Sequence, residues 1–398
     1  MSVEVPDGWE PVQLSSIVDN KTTKWNENSN GESYIGLEHI AQEVGTLCGV
    51  GNSSDVLSAK NTFEVGDVLF GKLRPNLKKY WHASFRGICS TDILVLRAGY
   101  KIRSDFLFAL VQSNQFLDLA ISDAVGTKMP RTSWSRLGEL NLNLPPLPEQ
   151  QRIAEILSSV DESIRAAKAV IAQAERVKRG LMEDLLTGGL GSAAIANGEV
   201  PDGWEKQCLS EVLVRDTSAI SASELASVGN VYHYSIPAFD EGQAPILEAG
   251  DQIRSNKTRI SEDCLLFSKL NPRIPRVWRV LAKHKFPAVC STEFWAFMPS
   301  QRKPSLDYFK HFLAWDGFLS NPQIKPSSST NSHQRIDRKA FDAFEVLLPP
   351  LPKQQRIAEI LSSVDGQITA SRATVEQLQR LKRGLIDDLL TGKVRTVA

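Results

Sequence analysis

The chain has 398 residues, enough for two or three domains of ordinary size. Lys plus Arg and Asp plus Glu both total 46, so the formal net charge is zero. That excludes a protein held to nucleic acid by bulk charge, though not one with its basic residues gathered on one face. Cys48, Cys89, Cys208, Cys264 and Cys290 form no C-x-x-C pair, which argues against a disulfide framework or a zinc site and fits a reducing cytoplasm. The six histidines have no metal-ligand spacing either, so no metal is expected. MSVEVPDGWE lacks the basic and apolar stretches of a signal peptide. No apolar run approaches about 18 residues, so no membrane partner is expected.

In chain order, VPDGWE at Val5–Glu10 comes first, with Trp9 as a packing anchor. Short apolar and β-branched runs broken by Gly, Pro, Asn and Ser follow, and they predict strands and turns. Among them GDVLFGKL, Gly66–Leu73, falls one residue short of a phosphate-binding loop, because Leu73 stands where Ser or Thr must hold magnesium. Next, Lys72–Arg86 carries five Lys/Arg and no acid. Asp105–Leu119 has the spacing of an amphipathic helix. GTKMPR, Gly126–Arg131, is a polar connector. LPPLPEQQRIAEILSSVD at Leu144–Asp161 then leads into a long helix of about 37 residues, or about 55 Å. Its seam runs Ile153, Leu157, Val160, Ile164, Ala167, Ile171, Ala174, Lys178, Leu181, Leu185, in steps of four and three, as in a coiled coil. Thr187–Gly188 supplies its stop.

The chain then repeats itself. VPDGWE returns at Val200–Glu205, now around Trp204. LPPLPKQQRIAEILSSVD returns at Leu348–Asp365 with 17 of 18 residues identical, and KRGLMEDLLTG at 178–188 returns as KRGLIDDLLTG at 382–392. The regions between match only in outline: FRGICSTDILVL (85–96) answers FPAVCSTEFWAF (286–297), and Asp307–Leu319 answers the first amphipathic stretch. Lys269–Lys285 carries six Lys/Arg and no acid, in the place of the first basic segment. STNSHQR, Ser329–Arg335, stands in the place of GTKMPR. Each copy therefore reads as an α/β (α+β) head followed by a helix. Both helices have an end at the second head, so their seams must pair antiparallel. The expected product has pseudo-two-fold symmetry, with two heads on a rigid two-helix spacer.

No catalytic constellation stands out. The amino-methyltransferase tetrapeptides and G-x-G-x-x-G are absent, and PDGWEK lacks the acid–x–Lys part of a nuclease pattern. LPPLP contains a PxxP that could be a ligand for a proline-binding domain, but a rigid extended connector is the better reading. The basic segments are the positive signal. Lys72, Arg74, Asn76, Lys78 and Lys79 in the first copy, with Lys128 and Arg131 beyond, are candidate DNA contacts. Lys269, Asn271, Arg273, Arg276 and Arg279, with His333, Gln334 and Arg335, are the candidates in the second.

The whole ordered set, VPDGW, a variable domain, then LPPLPEQQRIAEILSSVD with a heptad helix, all twice over, resembles the specificity (S) subunit of Type I restriction–modification systems. The resemblance implies that residues 1–145 and 200–349 are target recognition domains, each reading half of a bipartite double-stranded DNA sequence. Residues 146–188 and 350–392 would be spacer helices, with 189–199 a linker and 393–398 a tail. Two modification (M) subunits would bind at the repeated surface, through Gln150, Gln151, Arg152 and Glu155 and through Gln354, Gln355, Arg356 and Glu359. Restriction (R) subunits would join them. S-adenosylmethionine, ATP and Mg would belong to those partners, leaving this chain without cofactor, metal or catalytic residue. The helices would set the gap between half-sites. A protein of another class, a coiled-coil adaptor joining two protein-binding heads, would share the repeat but not the dependence of DNA binding on salt.

Overall fold

Val68–Gly71 and Cys264–Ser268 are strands buried at every residue, as short apolar runs bounded by turns can be when they lie inside a sheet. They sit in equivalent places in the computed structural model, which describes residues 5–25, 31–56, 58–124, 128–301, 304–324 and 334–396. The chain divides into two units. The first is Met1–Ala169 with Arg372–Ala398, and the second is Val170–Ser371. Each unit thus holds one head and part of each long helix.

In the first unit, a four-stranded antiparallel sheet runs in the order Val18–Lys21, Ile93–Ala98, Val68–Gly71, Tyr80–His82. A second, mixed sheet runs Gly51–Asn52, Ser33–Ile35, Gly87–Ser90, Lys60–Phe63. The second unit repeats the first sheet as Leu213–Asp216, Phe294–Pro299, Cys264–Ser268, Val277–Val280. Its other sheet is again mixed and gains a strand, in the order Ala219–Ile220, Lys257–Ile260, Ala288–Ser291, Asn230–Tyr234, Ile246–Ala249. A two-stranded ribbon closes each head, Glu10↔Leu144 in one and Glu205↔Leu348 in the other.

The stretch expected as one amphipathic helix, Asp105–Leu119, is two: Ser104–Leu110 and Asn114–Ser122. Ser113 breaks it, its hydroxyl accepting from the Phe116 N–H to cap the second helix. The counterpart divides likewise into Leu306–Leu313 and Asp316–Leu319. The long helices, Leu147–Leu186 and Leu351–Leu390, have 40 residues each and begin inside LPPLP, since proline is tolerated in a first turn. The small-residue linker also contains a short helix, Ser192–Ala196.

The helix seam is antiparallel within each unit. In the first, Leu157 shares a core with Ile386 and Leu389, and Asp161 pairs with Lys382 at 2.7 Å. In the second, Leu361 shares a core with Met182 and Leu186, and Asp365 pairs with Lys178 at 2.6 Å. The charged seam position, Lys178 and its copy Lys382, thus has an acid on the opposite helix, a device that fixes register. Each helix stop is a glycine at positive φ, 63° at Gly188 and 72° at Gly392. A Cβ on Gly392 would lie 2.5 Å from Pro6, and one on Gly188 would lie 2.7 Å from Pro201. VPDGWE therefore caps a helix end, and Trp9 and Trp204, each 6% exposed, are packing anchors as expected.

Candidate nucleic-acid interface

Strand Val68–Gly71 delivers the first basic loop. Lys72 donates its N–H to Asp92 O at 3.0 Å and accepts from Thr132 N–H at 3.0 Å. Arg74 then turns left-handed (φ 52°) while its N–H reaches Pro130 O at 2.8 Å and its Nη2 reaches Lys128 O at 3.3 Å. Pro75–Leu77 forms one 3₁₀ turn, and Lys78 is again left-handed (φ 47°). Two non-glycine residues in this region within five positions mark a strained loop held by its surroundings. Arg74, Asn76, Lys128 and Arg131 are exposed. Lys72, Lys78 and Lys79 are half-buried: Lys78 pairs with Glu43 at 3.0 Å, and the Lys79 ammonium donates to Leu37 O.

The second unit builds the same loop from different residues. Lys269 N–H donates to Glu293 O at 3.1 Å and Ile336 N–H to Lys269 O at 3.0 Å. Asn271 takes the place of Arg74, left-handed at φ 50°, with its N–H on Gln334 O at 2.8 Å. Asparagine adopts this conformation more readily than arginine. Arg273 and Arg335 are exposed, and Lys269, Asn271 and Gln334 are half-buried. His333 lies outside the described residues.

Two expected DNA contacts have structural work instead. Arg276 is 8% exposed and makes a bidentate pair with Asp240, at 2.7 and 2.8 Å. Arg279, on strand Val277–Val280, pairs with Asp263 at 3.1 Å and Asp307 at 3.4 Å. A run of basic residues does not reveal that its later members alternate into a strand whose acid partners lie elsewhere in sequence. Conversely, sequence reading passed over Asp92 and Glu293, which pair with Arg131 and Arg335 at 2.9 Å each. Their signal was the recurrence of Cys-Ser-Thr-acid in both heads.

The repeated helix surface divides similarly. Gln151 and Glu155 are exposed and bonded to each other at 2.8 Å; Gln355, Arg356 and Glu359 are exposed, and Arg152 is half-buried. Gln150 and Gln354, expected to meet a partner, are 0% and 3% exposed. Gln150 donates to Lys101 O and Pro145 O and accepts from Arg103 N–H, at 2.8–2.9 Å. Gln354 donates to Pro349 O and accepts from Ser305 N–H, at 2.8 and 2.9 Å. Both fasten a helix start to its own head.

Among the described residues no cluster of His, Cys, Asp or Glu is arranged to hold a metal ion, and no helix is long and apolar enough to cross a membrane.

Two divergent mixed-sheet heads with matching exposed basic loops, carried on two helices that agree at 26 of 40 positions and most closely at their starts, define a duplicated recognition protein. The family described as Type I restriction modification DNA specificity domain matches residues 6–176 and again 201–380. The chain belongs to this family and is a specificity subunit of the type I restriction–modification kind, with two target recognition domains. It is 26% identical over 423 residues to the MjaX type I restriction enzyme specificity subunit of Methanocaldococcus jannaschii, covering 98% of this chain and 95% of that protein. It is 22% identical over 430 residues to the MjaVIII specificity subunit of the same organism, covering 99% and 94%. The crystal structure of a Type-I restriction-modification S subunit from M. genitalium shares the fold, with a TM-score of 0.58 at 14% identity over 98% of each chain.

Proposed function

We propose that this chain reads a bipartite, asymmetric DNA target, one half-site per head, and scaffolds two modification subunits and the restriction subunits in the cytoplasm without performing chemistry itself. S-adenosylmethionine, ATP and Mg are bound by those partners. The observation that carries this reading is the contrast between the copies. Surfaces that meet the same kind of partner twice should match, and the helices do at 17 of 18 positions across their start. Surfaces that read different bases should differ, and the heads do, yet both present a left-handed basic loop at the same strand end.

In the assembled methyltransferase, Arg74→Ala is expected to impair one half-site and Arg273→Ala the other. Each should cost about 1–3 kcal/mol in binding if a base contact is lost. Arg276→Ala should instead lower the melting temperature, because it leaves Asp240 without its bidentate partner. Binding measured across a salt series should fall steeply; an adaptor with protein-binding heads would show no DNA binding to titrate.

Native mass measurement should find two modification subunits per chain at saturation, and the chain free of partners should show no methylation, cleavage or ATP hydrolysis. One partner at saturation, or turnover by the lone chain, would contradict the proposal.

A further inference from the structure

Little of the two heads agrees in sequence, yet a Cys-Ser-Thr-acid turn recurs, at Cys89–Asp92 and Cys290–Glu293. In each head its acid takes an arginine side-on. Arg131 Nε donates to Asp92 Oδ1 at 2.9 Å, with Nη2 3.4 Å from Oδ2. Arg335 Nε donates to Glu293 Oε2 at 3.1 Å and its Nη2 to Oε1 at 2.9 Å. A side-on pair leaves the end-on edge of the guanidinium, Nη1 and the second Nη2 hydrogen, with no hydrogen bond among the described residues. The two arginine side chains are 45% and 49% exposed.

Bracing is a poor explanation for the pairs. The same segments are already tied by backbone bonds, Lys72 N–H to Asp92 O and Thr132 N–H to Lys72 O in one head, Lys269 N–H to Glu293 O and Ile336 N–H to Lys269 O in the other. An ion pair this exposed to water adds little to stability. What the carboxylate does supply is orientation: it fixes a flexible side chain so that two parallel N–H donors face outward. Such an edge fits two acceptors side by side, which duplex DNA offers as guanine N7 and O6 or as phosphate oxygens. Charge separates the two. The carboxylate cancels the guanidinium charge and with it most of the attraction to phosphate, while the donors remain; a neutral base edge is the better match.

We propose that Arg131 and Arg335 each read a guanine, one in each half-site, and that Asp92 and Glu293 are the residues that position them. The proposal rests on the reading of the two heads as half-site readers.

The test uses the full chain assembled with its modification subunits and duplex libraries randomised across both half-sites, with the bound fraction sequenced. The wild-type complex should require guanine at one position or more in each half. Arg131→Lys, which keeps the charge but loses the planar fork, should reduce discrimination at one such guanine by about 10- to 100-fold, with the other half-site unchanged. Arg335→Lys should do the same in the other half only. Asp92→Ala should weaken discrimination at the base pair affected by Arg131→Lys, and Asp92→Glu should restore it. Weakening that is uniform across all sequences would mark a phosphate contact and overturn the proposal. Unchanged selectivity would mark bracing and overturn it too, as would altered selectivity at a base other than guanine. A wild-type complex with no sequence preference would instead defeat the half-site reading itself, and that is visible before any variant is compared.

Discussion

Gln150→Leu is expected to destabilise the first unit by about 3–5 kcal/mol, although leucine matches glutamine in size and suits an apolar surrounding. The side chain is 0% exposed and satisfies three backbone groups: the carbonyls of Lys101 and Pro145 and the N–H of Arg103. Leucine removes all three partners and admits no water to replace them. A buried backbone group left unpaired costs about 1–3 kcal/mol, the N–H more heavily than carbonyls that keep a second lone pair. Its neighbour Gln151 is exposed and donates to Glu155 one turn along the same helix. Gln151→Ala should therefore stay within about 0.5 kcal/mol of wild type in stability while loosening a modification subunit. Denaturant melts and partner titrations on both variants check the contrast. A neutral Gln150→Leu with weakened assembly would return Gln150 to the partner surface.

That pair of glutamines shows where sequence reading stops. Duplication, the heptad seam and the antiparallel pairing were legible because they depend on repeats and periods, which survive without coordinates. Even the polar exception, Lys178, stood out in the pattern; its answer, Asp365 on the opposite helix, did not. Gln150 looks like surface because it is polar and precedes the apolar seam. Only the docking of the helix start against its head shows that it is a buried fastener. Arg276 and Arg279 failed for a related reason: charge density along a chain carries no record of which charges meet Asp240, 36 residues away, or Asp263. The strand and helix breaks followed local chemistry more closely, yet Ser113 was invisible as a cap until the two helices on either side of it were separated.

The single difference between the repeated 18-residue segments, Glu149 against Lys353, carries the last expected result. Glu149 is 2% exposed and accepts from the Trp9 indole N–H at 3.0 Å and from Arg395 Nε and Nη2 at 2.9 and 3.0 Å. Residues from the start, middle and end of the chain thus meet at one carboxylate. In the second unit Lys353 instead lies over the ring of Trp204, 5.2 Å from its centre, and the Trp204 indole N–H is buried with no partner among the described residues. Glu149→Ala strips the buried indole and a partly buried guanidinium of their acceptor together, and should cost about 2–4 kcal/mol. Burial works to raise the Glu149 carboxyl, but the hydrogen bonds from Arg395, Trp9 and Thr396 outweigh it and hold the group below the usual carboxylate range. A carboxylate depressed in the folded state contributes its stability in full above its unfolded value, about 4.3, and loses it as pH falls through the folded value. The stability gap between wild type and Glu149→Gln should therefore be constant near neutral pH and shrink below about pH 4.3. Hydrogen exchange at the Glu10–Gln13 ribbon, followed across that range, reads the first unit alone. A gap that widens on acidification would mean that Glu149 is a strained acid rather than the clasp on which Trp9 and Arg395 depend.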